Sequence, residues 1–318
     1  MSTDTASRRA TSWTADNVPD QSGRVCLITG GNSGLGLASA RVLASRGAAV
    51  VIACRDEARG RAALDQLRQD CPGASIDLRR LDLACLADIR AFADDWRMHA
   101  GRLDVLVNNA GLMAIPHTRT IDGFEMQLGV NHLGHFALTL ALLPVLFPAH
   151  GSRIVNVSSA MHSRGRMDFD DLFFERRPYN GWTAYSQSKL ANMLFTLEID
   201  RRLKKMRSST LAVAAHPGYA ATELQAKGPV LRGDRLAAAG MRLANALFAQ
   251  SAGDGAVPQL RAATDPAVRG GEYFGPVGFA RMRGPAAQVD PAPQARDGAA
   301  ASQLWNVSER LTGMRFPG

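Results

Sequence analysis

Tyr185 and Lys189 stand four residues apart in a stretch with helical spacing, which places a phenol and an ammonium on one helix face. A free phenol near pKa 10 is a poor base at neutral pH, and a neighbouring ammonium favours the phenolate. The pair is therefore a candidate proton donor and acceptor for an alcohol or carbonyl oxygen. The chain has four tyrosines. At the fourth position after Tyr179, Tyr219 and Tyr273 stand Thr183, Glu223 and Val277, so Tyr185 alone has a lysine there. Upstream, the apolar run Ile154-Val155-Asn156-Val157 ends in Ser158-Ser159. Either hydroxyl could orient a substrate oxygen and offset charge that develops on it.

A second set of residues suits a dinucleotide. The apolar run Val25–Thr29 leads into Gly30-Gly31-Asn32-Ser33-Gly34-Leu35-Gly36 and then directly into helical spacing. Glycines allow a tight turn and close approach of phosphate to backbone. The helix N-terminus that follows offers free N–H groups and positive dipole for a pyrophosphate. The strand before the glycines and the helix after them make this string informative. The second strand ends in Ala53-Cys54-Arg55-Asp56. An acid at that end would bind the ribose hydroxyls of NAD, whereas an arginine can pair with a 2′-phosphate. Cys54 occupies the acid's place and Arg55 follows, which favours NADP(H) over NAD(H). Asp56 is close enough in sequence to neutralise Arg55.

These residues require elements to hold them. Apolar runs predict strands at Val25–Thr29, Ala48–Ala53, Ser75–Leu81, Leu103–Val107, Arg153–Val157, Thr210–Ala215 and Glu272–Phe274. Helical spacing predicts helices over Leu35–Arg46, Glu57–Gln69, Leu86–His99, Phe124–Leu146 and Thr183–Lys205. The alternation predicts an α/β fold, a doubly wound, mostly parallel seven-stranded sheet with helices on both faces. Residues 1–22 read as a polar arm, 23–280 as one dinucleotide-binding and catalytic domain, and 281–318 as a C-terminal extension. Within the extension, Ala286–Ala301 reads as a flexible connection and Leu304–Leu311 as a terminal helix. A substrate lid is expected at 219–250. Its Leu224, Val230, Leu231, Met241, Leu243 and Phe248 suit an apolar substrate, and equally the apolar faces that any helices need.

Composition bounds the alternatives. The 318 residues are 46% hydrophobic and 21% charged, ordinary for a globular chain with a large core. Four cysteines without a CxxC pair argue for a reducing compartment, and a cytoplasmic protein is expected. His132 and His135 have no carboxylate or cysteine at ligand spacing, so no metal is expected. Without a GxSxG elbow, neither serine reads as a hydrolase nucleophile. The net charge of +8 reads as a surface favouring an anionic cofactor. The run Arg201, Arg202, Lys204, Lys205, Arg207 has no interleaved aromatics and suits a helix C-terminus, so no nucleic-acid partner is expected. The N-terminus lacks signal-peptide order and Phe136–Phe147 is too short to span a bilayer, so no transmembrane segment is expected.

The motifs TGxxxGxG at residues 29–36, Asn108-Asn109-Ala110-Gly111, and YxxxK at residues 185–189 together resemble the short-chain dehydrogenase/reductase family. Beyond them the chain resembles the retinol dehydrogenase-like branch. The shared segments are ACRD at 53–56, NHLGHF at 131–136, YSQSKLAN at 185–192, HPG at 216–218 and LWNVS at 304–308, with a long interval from Ser159 to Tyr185. The similarity spans roughly residues 23–312. It implies hydride transfer between NADP(H) and an alcohol, aldehyde or ketone, apolar or lipid-like. It further implies that Tyr185 exchanges the proton, with Ser159, rather than Ser158, orienting the oxygen. Lys189 would lower the phenol pKa and hold the ribose, and Asn131 would hold a water that relays protons. Asp82 and Leu83 would meet the adenine, while Asn109, Ala110, Gly111, Pro217, Gly218 and Thr222 would complete the cofactor site. The competing reading is a non-catalytic NADP(H)-binding sensor or scaffold, a kind that commonly lacks the tyrosine or the lysine. A homo-oligomer is compatible with the sequence.

Overall fold

The computed structural model describes residues 13–219, 250–278 and 282–317. Most of the expected lid, and Thr222 with it, lies outside the described residues. The strands are β1 (Val25–Thr29), β2 (Ala49–Cys54), β3 (Ile76–Arg80), β4 (Val105–Asn108), β5 (Arg153–Val157), β6 (Leu211–Ala215), β7 (Tyr273–Pro276) and β8 (Ala286–Gln288). The helices are α1 (Gly34–Ser45), α2 (Glu57–Asp70), α3 (Leu86–His99), α4 (Met126–Leu146), α5 (Gly181–Lys205), α6 (Ala252–Thr264) and α7 (Gly298–Thr312).

The central strands are apolar throughout because both their faces are covered. Leu27 of β1, Val51 of β2, Leu106 of β4 and Ile154 of β5 face one side, where they meet Ile89 of α3, Phe136 of α4 and Phe195 of α5. The alternate residues Ile28, Ile52, Val107 and Val155 face the other side, against Leu43 of α1, Leu67 of α2 and Leu260 of α6. The spatial order is β3-β2-β1-β4-β5-β6-β7-β8, parallel from β3 to β7. The order reverses between β1 and β4, which opens a crevice at their carboxyl ends.

The sheet has eight strands, one more than expected. Ala286–Ala301 is not a flexible connection. It forms β8, antiparallel to β7 with Phe274 opposite Gln288, then a 3-10 turn at Pro293–Arg296 and the start of α7. Backbone pairing holds β8, so its Ala- and Pro-rich composition carries no trace of it. Asp297 caps α7 by accepting the N–H groups of Ala299 and Ala300 at 2.9 and 3.0 Å.

By length and composition α4 could cross a membrane, but the fold buries 83% of its apolar window as a core helix. Its π-helical turn, Gly129–Gly134, carries Asn131 and His132. His132 holds the C-terminal helix: its Nε2 lies 2.9 Å from Ser308 Oγ, and Phe136 meets Trp305 edge-on at 5.1 Å. Burial lowers the His132 imidazole to about 3, so the ring is neutral, and its Nδ1 has no partner among the described residues. Ser308→Ala takes away its one described hydrogen bond. We expect a loss of roughly 1–3 kcal/mol, read as a melting temperature lower by several degrees. An unchanged melting temperature would mean that this hydroxyl does not hold α7.

Candidate active site

At the end of β1 the chain turns through Gly30, whose φ of +65° suits glycine. It folds back so tightly that a Cβ on Gly36 would fall 2.4 Å from the Gly30 carbonyl oxygen. Helix α1 begins at Gly34 with Ser33 as N-cap, and no side chain caps its N–H groups. Those donors and the helix dipole fit a pyrophosphate. Asn32, Ser33, Gly34 and Leu35 are half-buried at the lip of this turn.

The turn is held from β4. Asn109 Nδ2 donates to the Thr29 carbonyl at 2.8 Å, and the Thr29 hydroxyl accepts the N–H groups of Asn109 and Ala110 at 3.0 Å each. The same hydroxyl lies 2.9 Å from His135 Nε2, while His135 Nδ1 lies 3.0 Å from the Asn131 carbonyl. A carbonyl only accepts, so Nδ1 carries the proton and Nε2 accepts from Thr29. Burial lowers His135 to about 4, which keeps the ring neutral as this arrangement needs. His135 and His132 thus serve separate partners, β1 and α7.

Arg55 is exposed just past β2 and has no partner among the described residues. Asp56 is engaged elsewhere, accepting the Arg59 N–H at 3.0 Å as N-cap of α2. At the end of β3, Asp82 is half-buried and accepts the Ala84 N–H at 3.0 Å. Leu83 is buried, its carbonyl packed against Gly134. Half-buried Pro217 and Gly218 lie beyond β6, where the Tyr219 N–H donates to the Met282 carbonyl at 2.7 Å.

Helix α5 starts at the N-cap Asn180, whose Oδ1 accepts the N–H groups of Trp182 and Thr183 at 2.9 and 3.1 Å. One turn on, Tyr185 is 5% exposed, and the Ser159 side chain is the group whose hydrogen bonding acts on its phenol. Burial pushes the phenol up to about 12, and the Ser159 hydrogen bond pulls against it. Lys189 Nζ lies 5.7 Å from the Tyr185 ring centroid and donates to the Val157 carbonyl at 3.0 Å. Burial lowers this amine to about 8. In the free protein the influence that lowers the phenol comes from Ser159, while the described hydrogen bond of Lys189 goes to backbone. The two serines part company: Ser158 Oγ donates to the Lys189 carbonyl at 2.8 Å, and Ser159 faces the phenol.

Asn131 joins these parts. Its Oδ1 accepts the Leu112 N–H at 2.7 Å, and its Nδ2 donates to the Leu112 carbonyl and Ser188 Oγ at 2.9 Å each. A Cβ on Gly111 would lie 3.2 Å from Asn131 Oδ1 and 3.5 Å from Lys189 Nζ, so the NNAG segment passes beside the amine. The Asn131 side chain is a strut, and its carbonyl is already used once by His135.

Sequence reasoning passed over a second strut. Buried Glu125 accepts from the Tyr179 hydroxyl at 3.0 Å, and Gln127 Nε2 donates to that hydroxyl at 2.8 Å and to the Gly181 carbonyl at 2.9 Å. Gln127 Oε1 accepts the Ala114 N–H at 2.8 Å. The loop after Gly111 is thereby tied to the start of α5. Burial raises the Glu125 carboxyl above its usual range. Only the lone buried-type acid and amide in an otherwise apolar stretch hinted at this.

Comparison with known proteins agrees with this geometry. Residues 24–229 match the short chain dehydrogenase family. Human retinol dehydrogenase 12 is 41% identical over 296 residues, covering 92% of this chain and 88% of that protein. The crystal structure of an uncharacterised protein from Mycobacterium paratuberculosis is 42% identical and superposes with a TM-score of 0.80, covering 97% of this chain and 100% of that one. A short chain dehydrogenase from Burkholderia cenocepacia, solved in complex with NADP, is 25% identical with a TM-score of 0.62, covering 80% and 96%. A hydride-transferring oxidoreductase with a nicotinamide cofactor fits the uncapped helix, the glycine turn and the buried amine. The chain belongs to the short-chain dehydrogenase/reductase family and is retinol dehydrogenase-like within it.

Proposed function

We propose that the protein is an NADP(H)-preferring oxidoreductase of apolar or lipid-like alcohols, aldehydes and ketones, with Tyr185 as acid and base. The buried Tyr185 phenol facing half-buried Ser159, with the Lys189 amine alongside, carries this reading. When bound, the nicotinamide ring supplies or accepts the hydride. Ser159 Oγ donates to the substrate oxygen and orients it. Tyr185 Oη gives that oxygen a proton in reduction and takes one in oxidation. The Lys189 ammonium has three donors and spends one on Val157, which leaves two for ribose hydroxyls. Its charge then lies where a phenolate forms. Trp182, 36% exposed with its ring edge-on to Tyr185 at 6.3 Å, gives the mouth of the site an apolar wall. The likeness to a retinol dehydrogenase supports a lipid-like substrate.

The preference for NADP(H) rests on Arg55, unpaired among the described residues while Asp56 is committed to its cap. For Arg55→Ala we expect the KM for NADP(H) to rise about 10–100-fold, the value of a charge-assisted contact, with little change for NAD(H). An unchanged preference removes Arg55 from the site. The reading as a whole is tested with long-chain alcohols and aldehydes and both cofactors, followed at the nicotinamide absorbance band. Failure of every such pair would leave no activity to explain.

A further inference from the structure

Resting on the assignment of Ser159 as the hydroxyl that orients the substrate oxygen, we propose that His162 is a positioning residue for it, held by the C-terminal segment at Ala292. Ser159 caps the 3-10 turn Ala160–Arg164, and its own side chain accepts the Met161 N–H at 3.2 Å. Its carbonyl accepts twice from His162: from the backbone N–H at 3.0 Å and from ring Nδ1 at 2.6 Å. The other ring nitrogen, Nε2, faces the Ala292 N–H at 3.0 Å. An amide N–H can only donate, so Nε2 holds a lone pair and Nδ1 the proton. The partners on the two sides therefore select one neutral tautomer and one ring orientation.

The donor is built for this purpose. Ala292 lies between Pro291 and Pro293, neither of which has an N–H, so its amide is the sole donor in that triplet. Strand β8 delivers it, with the Val289 N–H donating to the Tyr273 carbonyl at 2.8 Å just before. The Tyr273 ring stands edge-on to His162 at 5.4 Å. Gln294 Nε2 adds a hydrogen bond to the Ser163 carbonyl at 2.5 Å. On the opposite side the turn rests on α5: a Cβ on Gly165 would fall 2.5 Å from the carbonyl of Ser186, the residue after Tyr185. The turn that carries the Ser159 hydroxyl is thus clamped between the tyrosine helix and the C-terminal segment. None of the clamping atoms touches the reacting centre. They set the distance between two hydroxyls, and a displacement of about 1 Å in such a pair can cost on the order of 100-fold in rate.

The test uses the full-length protein with decanal as probe and whichever reduced nicotinamide cofactor it turns over faster. His162→Ala is expected to lower kcat about 10–100-fold with the cofactor KM unchanged within about twofold. His162→Asn, whose amide can donate to the same carbonyl, is expected to restore most of that. Ala292→Pro deletes one donor at a φ of −61°, which proline accepts, and is expected to lower kcat about 3–10-fold. In a Ser159→Ala background, His162→Ala and Ala292→Pro should each cost less than about twofold, because the group they position is gone. Equal losses with and without Ser159, or wild-type kcat in both single variants, overturn the proposal. If His162→Ala does not fold, the Ala292→Pro cycle decides alone. Full turnover by Ser159→Ala would overturn the Ser159 assignment and this inference together. A large loss there without coupling overturns only the role of His162.

Discussion

Tyr185→Phe is expected to lower kcat by about 1,000-fold, within the span that a positioned acid or base contributes. The substitution removes one oxygen from a side chain that is 5% exposed, so the packing against Trp182 stays and the fold should lose only about 1 kcal/mol. Cofactor affinity, read by quenching of protein fluorescence on titration with NADPH or NADH, should remain within about threefold, because the turn at Gly30 and the uncapped α1 are untouched. The split between lost turnover and retained binding is what assigns Tyr185 to the proton and not to the architecture. In the free protein the phenol stands up to about 12, so unaided it would hold its proton throughout the physiological range. That suits an acid in carbonyl reduction. In alcohol oxidation it requires the Ser159 hydroxyl and the Lys189 charge to favour the phenolate once substrate and cofactor are in place. Full turnover by Tyr185→Phe with any good substrate would remove the acid–base assignment.

The parts of the fold visible in advance were those written in one short segment. β1 opens with four apolar residues and is followed at once by its glycine turn, so strand, turn and helix declared themselves together. YxxxK has the same character, since one helical turn brings the phenol and the amine onto one face. What stayed hidden depends on partners far apart in the chain. Thr29 and His135 are 106 residues apart, His132 and Ser308 are 176 apart, and Ala292 and His162 are 130 apart. The segments NHLGHF and LWNVS could be matched as family markers, but not that one holds the other through His132 and Trp305. Asp56 could be seen beside Arg55, but whether it neutralised the arginine or capped α2 depended on where the helix began. β8 escaped for a related reason, because its pairing uses backbone groups that every sequence has.

Lys189→Met should abolish nearly all turnover and yet make the protein more stable at neutral pH. Burial lowers the Lys189 amine from its ordinary 10.5 to about 8, so the folded protein carries an ammonium that its surroundings disfavour. The difference corresponds to about 3 kcal/mol at most. Below pH 8 both folded and unfolded chains hold the proton, and the folded one bears the full cost. Between about pH 8 and 10.5 the unfolded chain binds the proton and the folded chain does not, so wild-type stability rises with pH. Above that window neither carries it and the cost is gone. Methionine fills nearly the same volume without a charge, and the Val157 carbonyl keeps its hydrogen bond from Asn192 Nδ2 at 3.2 Å. The gain of Lys189→Met over wild type in urea midpoint should therefore be largest at pH 7 and shrink toward pH 10. Tyr185, which also titrates at high pH, is common to both proteins and cancels from the comparison. With kcat lower by about 100–10,000-fold, the two measurements together would mark Lys189 as a group retained for chemistry against the interest of the fold. A variant less stable than wild type at pH 7, or a difference that does not narrow with pH, would mean that the amine is held in its pocket by favourable contacts and not imposed on it.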